Sequence, residues 1–172
     1  LKLIPPGSAY KVQKISTFSF HFATDFSDGF LVEHHINNQV IGSIQIHGNV
    51  HEISFKPFGQ SEKPDPLVKE TIIATLVRAL KSTGKDDIHY YLCDPSDGLH
   101  HQRDRMFTMW FNYAVREYDL PYDKYSFKLP APKGDEIGRY YVSFIIHKKA
   151  KGREEFIAAV ESKIQNDILP SK

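Results

Sequence analysis

Residues 51–82, HEISFKPFGQSEKPDPLVKETIIATLVRALKS, change their period partway along. In HEISFKPF the apolar Ile53 and Phe55 alternate with polar neighbours, the two-residue repeat of a strand with one buried face. GQSEKPDP is a loop by composition. Beyond it the repeat becomes helical. Val68, Ile72, Ile73, Leu76, Val77 and Leu80 make one broad apolar face, while Thr71, Arg78 and Lys81 fall elsewhere. Asp65 suits the N-cap, Pro66 suits the first helical position, and Gly84 ends the helix. The change of period divides the chain into an all-β first part and an alternating second part.

Upstream, two-residue alternation recurs. TFSFHFAT (17–24) sets Phe18, Phe20 and Phe22 against Thr17, Ser19 and His21. Asp28-Gly29 is a hairpin signal before GFLVEHHI (29–36). The turn NNQ leads to IGSIQIHG (41–48), where Ile44 and Ile46 share a face, and Gly48-Asn49 turns the chain into the strand at 51. These segments predict an antiparallel meander of four or five strands beginning near Tyr10. Residues 1–9, with Pro5-Pro6-Gly7, read as an extended tail.

Downstream, DDIHYYLCD (86–94) has the apolar body of a buried, central strand. A second helix is expected over 97–118, with Met106, Phe107, Trp110 and Ala114 facing inward. KYSFKLP and RYYVSFIIHK are two further strands joined by APKGDEIG, and a last helix over 152–168 buries Phe156, Ile157, Val160, Ile164 and Ile168. The order is a β-meander, then α-β-α-β-β-α. That is an α+β fold with a mostly antiparallel sheet and three helices, in one domain spanning 10–172.

Composition excludes several classes of function. With 22 basic against 21 acidic side chains the net charge is +1, so there is no electrostatic footprint for nucleic acid. No stretch approaches the roughly 18 apolar residues of a membrane span. Nine histidines are present, but none has the spacing of a zinc motif, and no metal is expected. Cys93 is the single cysteine, which rules out an internal disulfide. LKLIPPGSAY lacks the apolar run of a signal peptide, so the expected location is cytoplasmic.

The densest chemistry lies in YLCDPSDGLHHQRDRMFTMWF (91–111). An acidic residue at a strand end, a turn and a helix start form a common site geometry, because the helix N-terminus offers free N–H groups and partial positive charge. The candidate ligand-binding residues are Asp94, Asp97, His100, His101 and Arg103. Arg103 interrupts an apolar stripe through Leu99, Met106 and Phe107. It must snorkel outward, pair with Asp94 or Asp97, or help bind an anionic group. Ser96 and Asp97 also serve as ordinary N-caps. His100 and His101, being adjacent, point about 100° apart and cannot share a metal as an i, i+4 pair would. Cys93 is a nucleophile if His100 or His101 activates it, and a buried inert thiol otherwise. Tyr113 is a weaker candidate acid or base. There is no G-x-S-x-G elbow and no P-loop.

Cys93-Asp94-Pro95-Ser96-Asp97-Gly98, then Arg103, Arg105, Phe107, Trp110 and Phe111, then His147-Lys148, resemble a family of small uncharacterised bacterial proteins. Those proteins share a C-D-x-S-D-G turn, an R-x-R-x-F-x-x-W-F helix and a late strand ending near H-K. The resemblance covers most of the chain after Tyr10 and implies a recurring domain without an assigned activity. The element order also resembles the central and C-terminal part of the GCN5-related N-acetyltransferase fold. In that family a Q/R-x-x-G-x-G/A loop after the fourth strand holds the coenzyme A pyrophosphate. Here GQSEKPDPLVKE stands in its place, with no G-x-G, a proline without an N–H, and Asp65 where a phosphate would sit. The paired helices that follow that family's first strand are missing too.

Two functions are therefore expected. The first is a non-enzymatic domain that binds a small molecule or a protein partner, with no cofactor, nucleic acid or membrane. A continuous exposed apolar patch would favour the protein partner. The alternative is a divergent acyl-CoA-dependent N-acyltransferase without the usual pyrophosphate loop, for which CoA is the cofactor. A parting of the strands at 50–57 and 87–93, opening a pocket for a pantetheine arm, would favour the alternative.

Overall fold

The structure is a computed structural model that describes residues 10, 13–16, 19–22, 29–58, 66–93, 95, 97–129 and 140–168. Its seven strands are β1 (Gln13–Ser16), β2 (Ser19–Phe22), β3 (Gly29–Ile36), β4 (Val50–Phe58), β5 (Ile88–Cys93), β6 (Tyr122–Leu129) and β7 (Tyr140–His147). Three helices, α1 (Pro66–Ser82), α2 (His100–Tyr118) and α3 (Arg153–Ile168), follow β4, β5 and β7. All seven strands lie in one sheet of order β1-β2-β3-β4-β5-β7-β6. Every pairing is antiparallel except β4 with β5, which α1 connects as a parallel crossover. The α+β architecture and the element order expected from the sequence are those observed.

The two periods explain the layers. On β5 and β7, successive side chains go to opposite faces and both faces are covered. Tyr91, Cys93, Tyr141 and Ile145 join Ile53 beneath α1 and α2, with Ile73, Leu76, Leu80, Phe111 and Ala114. Ile88, Tyr90, Val142, Phe144 and Ile146 join Val50 on the other face, where Phe156 and Val160 of α3 cover them. Burying a side chain such as Phe156 or Leu80 contributes about 1.5–3 kcal/mol.

Several local expectations need correction. IGSIQIHG is no strand: Asn38–Ile41 form a 3-10 turn, and residues 42–49 are irregular. Its alternation is real as burial, since Ile44 and Ile46 are half-buried against the α3-side cluster while Ser43 and Gln45 face solvent. The segment has no strand partner because β3 and β4 already pair at Ile36 with His51. Asn38 Oδ1 accepts the Val50 N–H and the Asn37 N–H meets the Val50 carbonyl, which closes the excursion. The strand expected over 17–24 is described only as β2, Ser19–Phe22, preceded by β1.

In α1, Thr71 was placed off the apolar face but is fully buried. Its hydroxyl donates to the Leu67 carbonyl one turn back and accepts the Tyr10 N–H, so burial leaves nothing unsatisfied. In α2, Met106 faces outward. The inward stripe runs through Phe107, Trp110, Phe111 and Ala114, and Met106 falls beside it at 100° per residue. The helix begins at His100 rather than 97. In α3, Phe156 and Val160 are buried and Ile157 and Ile164 half-buried, while the side chain of Ile168 lies outside those described. No helix among the described residues is long and apolar enough to cross a membrane.

The parallel β4–β5 seam is short. Only Val50–Ile88, His51–His89 and Glu52–Tyr90 pair. Beyond them β4 continues to Phe58 and β5 to Cys93 without pairing to each other, so the strands part. Side chains fill the parting. Ile53, Phe55, Tyr91, Phe107, Trp110 and Phe111 leave a cavity of about 20 Å³ there.

Candidate functional site

The mouth of α2 holds an ion pair. Arg103 pairs with Asp97, and the Asp97 Oδ1 accepts the Leu99 N–H at 3.0 Å, tying the turn to the first helical residues. That N–H bond, followed by the Arg103 guanidinium, holds the Asp97 carboxyl below its ordinary value. The pair lies in solvent, so Arg103 snorkels to a structural partner rather than waiting for a ligand. Asp94 and Ser96 lie outside the described residues.

His100 is buried, with its ring against His101 (4.2 Å between centroids) and Tyr141 (5.6 Å). His101 Nδ1 and the Tyr141 hydroxyl are 2.8 Å apart. Neither histidine reaches Cys93 by any contact among the described residues. Burial pushes the Cys93 thiol up to about 11, the state of an inert thiol. Tyr113 stands at the far end of α2, with Lys69 and Arg116 over its ring. The structure therefore groups His100, His101 and Tyr141, joins Asp97 to Arg103, and separates Tyr113 from both.

A more unusual assembly lies further along α2, where the helix crosses β6 and β7. Lys124 projects from β6 toward α2 with its side chain only 6% exposed. Its ammonium donates to Thr108 Oγ1 at 2.8 Å and to Ser126 Oγ, and stands 3.5 Å from Asp104 Oδ1. Ser126 and Ser143 share a hydrogen bond at 3.0 Å, and Ser143 Oγ donates to Asp104 Oδ1 at 3.4 Å. Lysine, two serines and aspartate thus close a ring. The Thr108 proton goes to the Asp104 carbonyl, which frees its oxygen to accept from Lys124.

Three acceptors face three N–H bonds, so this is an ammonium and not a free amine. Burial lowers the Lys124 pKa and the Asp104 carboxylate opposes the shift. The ammonium also lies 5.7 Å from the centre of the Tyr91 ring. The buried Tyr91 hydroxyl, beside Ser143 and Thr108, makes no hydrogen bond of good geometry, and burial raises its pKa.

Three members of this ring, Asp104, Lys124 and Ser126, line an open groove of about 710 Å³ between α2 and β6. Asp104, Thr108 and Asn112 contribute from α2, and Lys124, Tyr125 and Ser126 from β6. At its rim one carboxylate stands between two cations: Asp123 pairs with Arg153 at 2.9 Å and Lys148 at 4.0 Å. Sequence reasoning missed this site. In YDKYSFKL, Lys124, Ser126 and Lys128 follow a polar two-residue repeat, and α2 covers only the first of them. Asp104 and Thr108, one helical turn apart, were the available signal.

The same sheet face carries a second polar cluster. His34, His51 and His89 come from β3, β4 and β5, all buried. Register places them together: His51 pairs with His89, and His34 lies diagonal to His51. His34 Nε2 and His89 Nδ1 are 3.0 Å apart, with ring centres at 5.1 Å and planes 18° apart. The two rings meet edge to edge, straddling β4. His51 stacks on both, at 4.7 and 5.2 Å. Near-parallel planes keep three nitrogen lone pairs from converging on one ion, and no group among the described residues could hold a metal. Thr83 Oγ1 lies 3.0 Å from His89 Nε2, and Asp87 lies 3.5 Å from His51 Nε2. No spacing along the sequence marks this trio.

No family model matches the chain, and no curated protein is similar to it.

Proposed function

We propose that the protein is a non-enzymatic binding domain whose ligand is a small, electrically neutral molecule rich in hydroxyl or amide groups, taken up in the α2–β6 groove. One observation carries the proposal: a nearly buried ammonium, Lys124, held by Asp104 and Ser126 in the groove wall and closed into a ring by the buried Ser143 behind them. Burying an ion pair costs several kcal/mol in desolvation, and apolar residues of the same volume often do as well or better for stability. A fold that keeps such a ring at an open mouth uses it for recognition. Within the ring Lys124 and Asp104 satisfy one another, so the ring offers a ligand no free counter-charge. Asn112 offers an exposed amide, both donor and acceptor, and Thr108 and Ser126 keep acceptor lone pairs, which together suit a sugar-sized polyol or amide.

A small molecule fits better than a protein partner. The exposed large apolar side chains, Ile36, Leu92, Leu99, Met106 and Met109, are spread over β3, β5 and the α2 region. The acyl-CoA-dependent N-acyltransferase is the second reading, and the parting of β4 and β5 favours it. Against it, a cavity of about 20 Å³ holds roughly one water, whereas small-molecule pockets run to about 300–1,000 Å³.

Ligand-observed NMR with neutral sugars, polyols and amides, alongside charged metabolites and acetyl-CoA, tests the proposal. Neutral hits that are lost in Asn112→Ala and Thr108→Val support it. Hits dominated by charged compounds, or unaffected by those substitutions, overturn it. Saturable binding of acetyl-CoA would move the second reading to first place.

A further inference from the structure

The histidine trio occupies the weakest joint of the sheet. The β4–β5 seam has three residue pairs, and His51–His89 is the middle one. Two residues further on the same face, Ile53 and Tyr91 already line the cavity where the strands part. Three rings thus hold the narrow end of a wedge. The seam is otherwise secured from below by the turn between α1 and β5. Asp87 accepts the Asn49 N–H and the Gly84 N–H, both at 2.8 Å. Gly48 lies so close to the Asp86 backbone that a Cβ there would collide with it.

The trio accommodates neutral rings and little else. The His34–His89 contact holds one proton between two nitrogens. If both rings became imidazolium, two N–H groups would face each other across 3.0 Å. Thr83 donates to the Ala79 and Leu80 carbonyls, which leaves its oxygen to accept from His89. Around the trio, β3 brings His35 as a further cation when protonated, and the α1–β5 turn brings Asp87. Tyr122 of β6 is edge-on to His89 at 6.3 Å and donates its proton to the Leu80 carbonyl. His147 of β7 stands behind Tyr122 at 5.1 Å. One carboxylate, itself holding two backbone N–H groups, therefore faces three bases.

We propose that His34, His51 and His89 form an acid-released latch on the β4–β5 seam. Neutral, the stacked rings hold the wedge shut; protonated, they repel one another and open it from its narrow end, enlarging the apolar cavity beside Ile53 and Tyr91. Burial, followed by the neighbouring imidazoles, holds His34 down at about 4 and His89 well below its ordinary value, while burial also lowers His51. The latch thus stays closed at neutral pH and loosens as pH falls from 6.5 toward 4. This inference does not depend on the groove.

Hydrogen exchange read by mass spectrometry at pH 7.5 and pH 5, corrected for the intrinsic pH dependence of exchange, tests the latch. The expected result is at least a tenfold acceleration at pH 5 in peptides covering 50–53 and 88–91, with 122–129 unchanged. His51→Phe keeps a stacking ring but removes one of the three titrating groups, and should reduce the acceleration. His34→Gln serves the same purpose should the first variant fold poorly. Equal exchange at the two pH values, a uniform acceleration across all strands, or acceleration undiminished in a folded variant would each overturn the proposal.

Discussion

Replacing Lys124 with Met removes the ammonium while keeping most of the side-chain volume. What remains is the sharper problem. Asp104 Oδ1 loses its cation, and Thr108 and Ser126 lose a donor. Breaking a buried pair by removing one partner costs about 3–5 kcal/mol. The Asp104 side chain is 19% exposed, so water from the groove reaches it and the cost falls to the bottom of that range or just below, about 2–3 kcal/mol. Replacing both members, Lys124→Met with Asp104→Leu, leaves no uncompensated charge and should cost less than Lys124→Met alone. Urea denaturation of the wild type, both single variants and the double variant gives the coupling energy directly. We expect at least about 1 kcal/mol of favourable coupling. If Lys124→Met stays within about 0.5 kcal/mol of wild type, or the two substitutions simply add, the closed ring is not an energetic unit and the recognition argument falls with it.

Three further outcomes are expected. Stability to urea should decline as pH drops from 6.5 toward 4, because the unfolded chain binds protons that the folded histidines refuse. His34, moved from 6.5 to about 4, contributes up to about 3 kcal/mol, fully present above pH 6.5 and lost toward pH 4; a flat profile across that range contradicts the sign. Cys93 should resist a thiol reagent in the native state and react once urea unfolds the chain, since its thiol is buried and held up at about 11; rapid native labelling would contradict its placement. Arg103→Ala should leave the urea midpoint at the wild-type value, because its pair with Asp97 stands in solvent; a clear drop would show that the mouth of α2 does more than clasp a turn.

The fold was legible wherever one period governed a whole segment. The alternation around Ile53 and Phe55 and the helical stripe through Ile72, Leu76 and Leu80 each pointed to the element that formed. Residues 42–49 misled because alternation reports alternate burial, and an irregular segment laid over a core satisfies it as well as a strand does. The sites were harder to read. Arg103 broke an apolar stripe and so attracted attention, yet a long side chain can turn outward at little cost. Lys124 followed the polar repeat of its strand and attracted none, because the repeat cannot say that a helix will cover that face. His34, His51 and His89 come together only through two pairings, one of them parallel, and no spacing along the chain encodes a parallel register.

That single parallel pairing also orders the assembly of the molecule. Residues 13–58 can build their strands by successive hairpins, and β6 with β7 can do the same. β4 meets β5 only after the whole of α1 has crossed over, so loop closure must be completed before its three pairs form. The chain therefore zips as two local blocks, and β5 joins them through two long-range pairings, with β4 and with β7. Substitutions in the meander and in the β6–β7 hairpin act within blocks already formed. Substitutions at His51 or His89 strike the joining step, where slow folding and stray association both begin.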